Sequence, residues 1–83
     1  MKITVRYFAS IREAVGQGSE VLDTSATTLG ALRDELLARG GAYASALARG
    51  RAVRMALDQA LSDEAAALRD GAEVAFFPPV TGG

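Results

Sequence analysis

A single amphipathic helix constrains the fold of this chain most strongly, because most of the other patterned segments are typical of β-strands. Its apolar positions recur at the three- and four-residue spacing of one helix face, and they are Leu29, Leu32, Leu36 and Leu37. Thr28 is a suitable N-cap residue, and the pair Gly40-Gly41 predicts the end of the helix. A leucine face of this kind is buried when the helix packs against a second layer, so we expect one helix on one sheet.

Strand signals lie on both sides of this helix. In residues 1–8, the side chains of Met1, Ile3, Val5 and Tyr7 alternate with those of Lys2, Thr4, Arg6 and Phe8, which predicts a first strand with one buried face. A short second strand is predicted at residues 20–22, paired with the first in a hairpin. The strands predicted after the helix are residues 52–57, the short edge strand 60–61 after a turn at Asp58-Gln59, and residues 72–77 after a turn at Asp70-Gly71.

The remaining segments connect these elements. Gly16-Gln17-Gly18 is predicted as a turn-like link before the second strand, with no helix predicted ahead of it. Residues 42–47 are expected to add a helical turn or two. Residues 62–68 are expected to form one more helical turn, capped at Ser62-Asp63-Glu64. The predicted fold is therefore α+β, a β-grasp with one mixed β-sheet packed on one main helix.

The chain divides into a folded part and a tail. Pro78 has no N–H to donate to a sheet and favours extended geometry at Phe77, so the last strand is expected to stop there. Residues 1–77 are therefore predicted to form one β-grasp domain. Residues 78–83 are predicted to form an extended, flexible C-terminal tail that ends in Gly-Gly.

Composition excludes several kinds of site. The 83 residues include no cysteine and no histidine, which excludes thiolate and imidazole chemistry and the usual soft-metal sites. The formal net charge of −1 gives no basic surface for nucleic acid or an acidic membrane. No apolar run approaches the roughly 20 residues that span a bilayer, and the N-terminus lacks a signal-peptide pattern. We expect a cytoplasmic protein that binds no metal, nucleic acid or membrane.

The consecutive residues Phe76 and Phe77 point to opposite faces of the last strand, because side chains alternate along a strand. If Phe76 is buried under the helix, Phe77 faces outward, and the same parity places Phe8 outward on the first strand. Leu61 is a third candidate for this exposed surface. Single exposed aromatic residues are common, but two on neighbouring strands favour a docking surface for a larger protein.

The tail ends in two residues without side chains, Gly82 and Gly83. Glycine permits close backbone approach, so such an end can enter a channel too narrow for other residues. The α-carboxylate of Gly83 can be activated by transfer to a nucleotide phosphate and then passed to a nucleophile. Another protein must perform this activation, because Gly16-Gln17-Gly18 lacks the lysine and remaining glycines of a phosphate-binding loop. A frayed terminus without a function is the alternative.

The segment from Asp70 to Gly83, which ends in Phe-Phe-Pro-Pro-Val-Thr-Gly-Gly, resembles the C-terminus of MoaD-type small subunits of molybdopterin synthase, in the ubiquitin-like sulfur-carrier family. Residues 8–13 and 28–33 resemble the opening segment and the helix start of that family, and the resemblance covers the whole chain. One departure is Gly30 early in the helix, which should cost about 1 kcal/mol relative to alanine.

The resemblance implies a ubiquitin-like β-grasp whose terminal glycine, here Gly83, is adenylated by a ubiquitin-activating-like adenylyltransferase that uses ATP. A sulfur-donating enzyme then provides the sulfur of a C-terminal thiocarboxylate. The thiocarboxylate donates this sulfur to cyclic pyranopterin monophosphate in molybdenum cofactor biosynthesis. The chain would bind no cofactor itself and would be a non-catalytic subunit, with the catalytic residues on the large subunit of a heterotetramer.

The resemblance also indicates which residues contact the partner. The tail residues expected to enter the active site of the large subunit are Val80, Thr81 and Gly82, ahead of Gly83. The residues expected at the partner interface are Phe8, Leu61, Phe77, Pro78 and Pro79.

Three other functions are compatible with the same fold and tail. A sulfur carrier could serve thiamine thiazole, tRNA thiolation or cysteine biosynthesis, although thiazole-pathway carriers resemble this chain mainly in Gly-Gly. A ubiquitin-like modifier would be joined to lysines of other proteins through the same activated carboxylate. A plain protein-binding module would have an inert tail.

Overall fold

Five strands form one mixed sheet in the computed structural model, which describes residues 1–79. In chain order, the elements are β1 (Lys2–Tyr7), α1 (Ala9–Val15), β2 (Ser19–Asp23), α2 (Leu29–Leu37), α3 (Gly41–Ala46), β3 (Arg54–Leu57), β4 (Ala60–Ser62) and β5 (Glu73–Phe77). The strand order is β2-β1-β5-β3-β4, with β1 and β5 parallel and the other neighbours antiparallel. The predicted α+β class, with a mixed β-grasp sheet and a β1–β2 hairpin, is confirmed.

Helix α2 is the main helix, as its leucine spacing predicts. Leu29, Leu32 and Leu36 are completely buried, and burial of each such side chain contributes about 1.5–3 kcal/mol. Thr28 is the N-cap, because its Oγ1 accepts a hydrogen bond from the N–H of Ala31 at 3.1 Å. The helix ends at Leu37, earlier than the Gly40-Gly41 pair predicts, and these glycines lead into α3 instead.

The two faces of the sheet are unlike. The buried face packs against α2, and the residues of its strands that belong to the core are Ile3, Val5, Tyr7, Met55, Val74 and Phe76. The parity prediction for Phe76 is confirmed, since its side chain has no exposed surface. The opposite face of the sheet carries the outward side chains of the same strands, and within residues 1–79 no helix covers it.

Helix α1 is not predicted from the sequence. Only Ile11 among its residues is buried, so it leaves little apolar periodicity to detect. It ends at Gly16, which adopts a left-handed conformation (φ 83°) and donates its N–H to the carbonyl of Arg12 at 2.9 Å. The helix contacts both α3 and β5. The additional helical turns predicted near residues 42–47 are confirmed as α3.

The helical turn predicted at residues 62–68 does not form. Asp63 Oδ1 instead accepts a hydrogen bond from the N–H of Ala65 at 2.9 Å, in a side-chain turn. The carbonyl of Ala66 accepts the N–H of Leu29 at 3.0 Å. The prediction is wrong because this segment provides acceptors for the first, otherwise unpaired N–H groups of α2, which lie far away in the sequence.

Gly30 belongs to the same junction, and the structure explains why it is a glycine. Its N–H donates to the carbonyl of Glu64 at 2.9 Å. A Cβ at position 30 would lie 2.9 Å from Glu64 Oε1 and 3.1 Å from Glu64 Cβ. The absent side chain therefore permits the close approach of residues 62–68 to α2, a benefit that offsets the low helix propensity of glycine.

Two arginines hold this junction together. Arg49 donates from Nη2 to Glu64 Oε1 at 2.7 Å and from Nη1 to Asp34 Oδ1 at 2.5 Å. Arg33 is almost completely buried and donates from Nε to the carbonyl of Leu47 at 2.7 Å. Burial lowers the pKa of the Arg33 guanidinium, and the carboxylate of Glu64 opposes this shift. The guanidinium groups thus connect α2 to the segments on both of its sides.

Candidate functional site

The open face of the sheet presents residues that alternate with the core. The register pairs Phe77 with Arg54 on one side, and it places Ala75 between Ala56 and Arg6. Small alanine side chains in the middle of the face leave a depression between larger neighbours. This face also carries two of the exposed large apolar side chains, Phe8 and Leu61.

The depression is a groove of about 550 Å³ at the end of β5. Four of the five residues predicted at a partner interface line it together, and these are Phe8, Phe77, Pro78 and Pro79. The N–H of Phe8 donates to the carbonyl of Phe76 at 3.1 Å, which holds Phe8 beside the end of β5. The Phe8 side chain is 41% exposed. The groove therefore offers aromatic and proline surface directly at the point where the chain leaves the sheet.

Leu61, the fifth predicted interface residue, lies apart from this groove. It is 69% exposed on the edge strand β4 and pairs with Ala56 of β3. It lines a separate depression that also includes Arg54, Met55 and Ser62. Leu61 therefore shares the open face with Phe8 and Phe77, but β3 lies between them.

The groove contains charged residues that sequence reasoning missed. The guanidinium of Arg6 lies 5.7 Å from the centroid of the Phe8 ring, and its Nη1 lies 3.9 Å from Glu73 Oε2. An exposed pair of this kind contributes at most about 1 kcal/mol. Its effect is to keep the charge of Arg6 balanced beside the aromatic surface. Arg6 could have been identified from the sequence, because it has the same strand parity as Phe8.

The rim of the groove is formed by the turn between β3 and β4. Asp58 and Gln59 both adopt left-handed backbone conformations, with φ of 50° and 69°. Asp58 fixes this turn to β5, because its N–H donates to the carbonyl of Glu73 at 2.8 Å and its Oδ1 accepts the N–H of Glu73 at 2.9 Å. The tight turn predicted at Asp58-Gln59 is confirmed, and it places Gln59 at the groove.

An aromatic cluster supports the groove from the buried side. The ring of Tyr7 lies 6.2 Å from Phe76 in a stacked arrangement and 6.0 Å from Tyr43 edge-on. The Tyr7 hydroxyl donates to Glu20 Oε2 at 2.8 Å. Burial, and then this hydrogen bond, raise the pKa of the Tyr7 phenol far above its usual range. Tyr7 therefore stays protonated, and its ring holds in place the strand end from which Phe8 projects.

Glu20 is the common acceptor of this cluster. Its Oε2 also accepts the hydroxyl of Tyr43 at 3.1 Å, and its Oε1 accepts Arg39 Nη1 at 3.0 Å. Arg39 lies over the Tyr43 ring, with 4.8 Å between guanidinium carbon and ring centroid. The cluster links β1, β2 and α3, so the strand that carries Phe8 is fixed from several directions.

The tail residues predicted to act chemically lie outside the described residues; they are Val80, Thr81, Gly82 and Gly83. Within residues 1–79, no three side chains that could bind a metal ion come together. None of the helices among these residues has the length and hydrophobicity that a membrane-spanning helix requires.

Comparison with known proteins relates the chain to sulfur carriers over its whole length. Residues 5–83 match the ThiS family. The chain is 42% identical over 81 residues to the molybdopterin synthase sulfur carrier subunit of Escherichia coli (strain K12), with 98% of this chain and 99% of the relative covered.

Solved structures match the fold of the chain. The fold matches the small archaeal modifier protein from Haloferax volcanii with a TM-score of 0.78 at 24% identity, over 100% of both chains, which supports the ubiquitin-like β-grasp fold. It also matches a chain in the complex of subunits 1 and 2 of the molybdopterin-converting factor from Helicobacter pylori 26695. That match has a TM-score of 0.70 at 28% identity, again over 100% of both chains.

Proposed function

This chain belongs to the ThiS family, and from that membership we propose that it is the sulfur carrier subunit of a molybdopterin synthase. The observation that carries the proposal is the full-length relationship to proteins with this name. The geometry is consistent with it, because the groove is lined by Phe77, Pro78 and Pro79, the residues that immediately precede the tail.

The proposed partner is the large subunit of the synthase, which docks on the open face of the sheet. The likeness to a chain from a complex of subunits 1 and 2 supports a partner of this kind. Aromatic side chains such as Phe8 and Phe77 dominate the energy of interfaces once they are desolvated. Residues 80–83 can span at most roughly 14 Å when fully extended. We therefore expect the active site of the partner to open within that distance of the groove.

The proposed chemistry takes place at the carboxylate of Gly83. A carboxylate oxygen attacks the α-phosphate of ATP on a ubiquitin-activating-like adenylyltransferase, and pyrophosphate leaves. Sulfide sulfur from a sulfur-donating enzyme then displaces AMP, which leaves a thiocarboxylate at the terminus. In the large subunit, this sulfur attacks a carbon of cyclic pyranopterin monophosphate and displaces an oxygen substituent. Water then hydrolyses the resulting thioester, which leaves the sulfur on the pterin and returns the terminus to a carboxylate. We propose that the catalytic residues lie on the large subunit and that the carrier itself binds no cofactor. The reaction is proposed to take place in the cytoplasm.

Intact mass spectrometry tests the first part of the proposal. The protein is incubated with its adenylyltransferase, ATP and a sulfur donor, and a parallel sample lacks ATP. Replacement of one oxygen by sulfur at the terminus is expected only with ATP. Formation of a conjugate with another protein, or no change of mass, would argue against a sulfur carrier.

A second assay tests the acceptor. The thiocarboxylated protein is mixed with the large subunit and cyclic pyranopterin monophosphate, and molybdopterin formation is followed. Deletion of Gly83 is expected to abolish product while thermal unfolding and binding to the large subunit stay nearly unchanged. Sulfur transfer to a thiazole precursor or to tRNA, without molybdopterin formation, would assign the chain to another pathway.

A further inference from the structure

A second depression lies beside the tail, on the helix side of the domain. This cleft has a volume of about 290 Å³ and lies between α1 and α3, with the segment before β3 as its third wall. Pro78 lines both this cleft and the groove on the open face. The start of the tail is therefore flanked by two depressions of different chemistry. A protein that encloses Pro78 to receive the tail would cover both of them.

The cleft is polar at its rim and apolar at its base. Ile11 and Ala46 at the base are 4% and 6% exposed. The rim carries the hydroxyls of Ser10 and Ser45 and the side chain of Arg51, all on exposed residues. Among the described residues that line the cleft, none carries a carboxylate. The cleft thus has hydrogen-bond donors and a positive charge with no balancing negative charge of its own.

These rim groups have no partners within residues 1–79. Arg6, Arg33, Arg39 and Arg49 each form an ion pair there, whereas Arg51 forms none. The hydroxyls of Ser10 and Ser45 likewise form no hydrogen bond inside this part of the chain. The backbone at Arg51 is fixed, because its N–H donates to the carbonyl of Ala48 and its carbonyl accepts the N–H of Val53, both at 2.9 Å. The guanidinium of Arg51 thus projects from a fixed backbone, and without an ion-pair partner among residues 1–79 it is available to an external anion.

We propose that this cleft accepts one aspartate or glutamate side chain of the large subunit, with Arg51 as its ionic partner and Ser10 and Ser45 as hydrogen-bond donors. The inference rests on the proposed function, because it takes the large subunit as the protein that encloses the tail. A planar guanidinium pairs well with a carboxylate. The apolar base of the cleft keeps water away once the partner covers it, which strengthens the attraction. The groove then provides apolar contact on one side of Pro78, and the cleft provides charge recognition on the other.

Binding of the purified large subunit to full-length variants tests this cleft. Arg51→Glu reverses the charge in the cleft, and Arg69→Glu makes the same change of charge at an exposed position that lies before β5, at the end opposite Phe77. In calorimetric titrations at low salt, Arg51→Glu is expected to weaken binding about tenfold or more, and Arg69→Glu by less than about twofold. The difference should shrink at high salt, because added ions screen partly exposed charges.

A second variant tests the cleft without touching the arginine. Ser45→Asp places a carboxylate at the rim, where it would pair with Arg51 and repel the incoming acid, so weaker binding is again expected. The proposal is overturned if Arg51→Glu binds as well as the wild type, or if it loses no more affinity than Arg69→Glu. Absence of binding by the wild-type protein would overturn the proposed function as well. Normal binding by the wild type with no effect of Arg51→Glu would overturn only the cleft.

Discussion

Tyr7 and Phe76 are direct neighbours on the parallel strands β1 and β5, and their rings stack on the buried side of the sheet with 6.2 Å between centroids. Each is followed by a phenylalanine, and both of these, Phe8 and Phe77, line the groove on the open side. The two neighbouring strands thus produce a core pair, Tyr7 and Phe76, and one residue later a surface pair, Phe8 and Phe77. The position of the surface pair depends on the packing of the core pair.

Replacement of the surface pair is expected to affect binding more than stability. Phe77→Ala and Phe8→Ala should each weaken binding to the large subunit about tenfold or more, because partly exposed aromatic residues become buried there. The free energy of unfolding, measured in urea, should change by less than about 1 kcal/mol. Phe76→Ala should instead destabilise the fold by about 3–5 kcal/mol, because its side chain is completely buried.

Val21→Ala is the matched control for this experiment. Val21 is 66% exposed and pairs with Thr4, at the far edge of the sheet from β4 and outside the groove. Its removal should leave binding within about twofold of the wild type. Equal losses for Val21→Ala and Phe77→Ala would mean that the groove is not the contact surface.

Two glycine substitutions separate helix propensity from close approach. Gly30→Ala should destabilise the protein by about 1–2 kcal/mol, although alanine favours helices, because the added Cβ would lie 3.1 Å from Glu64 Cβ and 3.2 Å from the Glu64 carbonyl oxygen. Gly50→Ala should be neutral or stabilising by up to about 1 kcal/mol, because a Cβ there meets no atom within 4 Å. Urea unfolding of both variants measures the difference. A more stable Gly30→Ala protein would show that the junction relaxes freely.

The raised pKa of Tyr7 predicts a loss of stability in alkali. The unfolded chain loses the phenol proton near the ordinary tyrosine pKa of 10.0, whereas the folded protein keeps it at that pH. The stabilisation is therefore fully present below about pH 10 and declines as the pH rises further, since the unfolded state then binds fewer protons. Urea unfolding between about pH 9 and about pH 11 measures this slope. Tyr7→Phe should flatten the slope of the free energy of unfolding against pH, whatever its effect on absolute stability. An unchanged slope in this variant would assign the alkaline loss of stability to other groups.

The lowered pKa of Glu64 predicts a loss of stability in acid. Hydrogen bonds from Arg49 hold the pKa of the Glu64 carboxyl below its ordinary value of 4.5. Its stabilisation is present above that value and is lost as the pH falls through the lower pKa of the folded protein. Glu64→Gln should therefore reduce the acid dependence of the free energy of unfolding between about pH 6 and about pH 3, as measured by urea unfolding. An acid slope equal to that of the wild type would contradict the role of Arg49.

The sequence predicts what depends on neighbours along the chain. Alternation determines which strand residues are buried, so it separates Phe76 from Phe77 correctly. Leucine spacing and the Thr28 cap likewise identify α2, since both are local properties of the helix. The alternation also places Phe8 and Leu61 on exposed positions, but it contains no information on whether they share one groove.

Contacts between segments that are distant in sequence determine the rest of the fold and of the site. Residues 62–68 form no helical turn because the carbonyls of Glu64 and Ala66 accept the first N–H groups of α2, and Gly30 is required where the two segments touch. Helix α1 is stabilised by contact with α3 and β5, not by a pattern of its own. The strand order separates Leu61 from the groove and brings Arg6, Gln59 and Pro79 to it. Local pattern determines which face a side chain takes, whereas pairing between distant segments determines its neighbours, because that pairing depends on backbone partners remote in sequence.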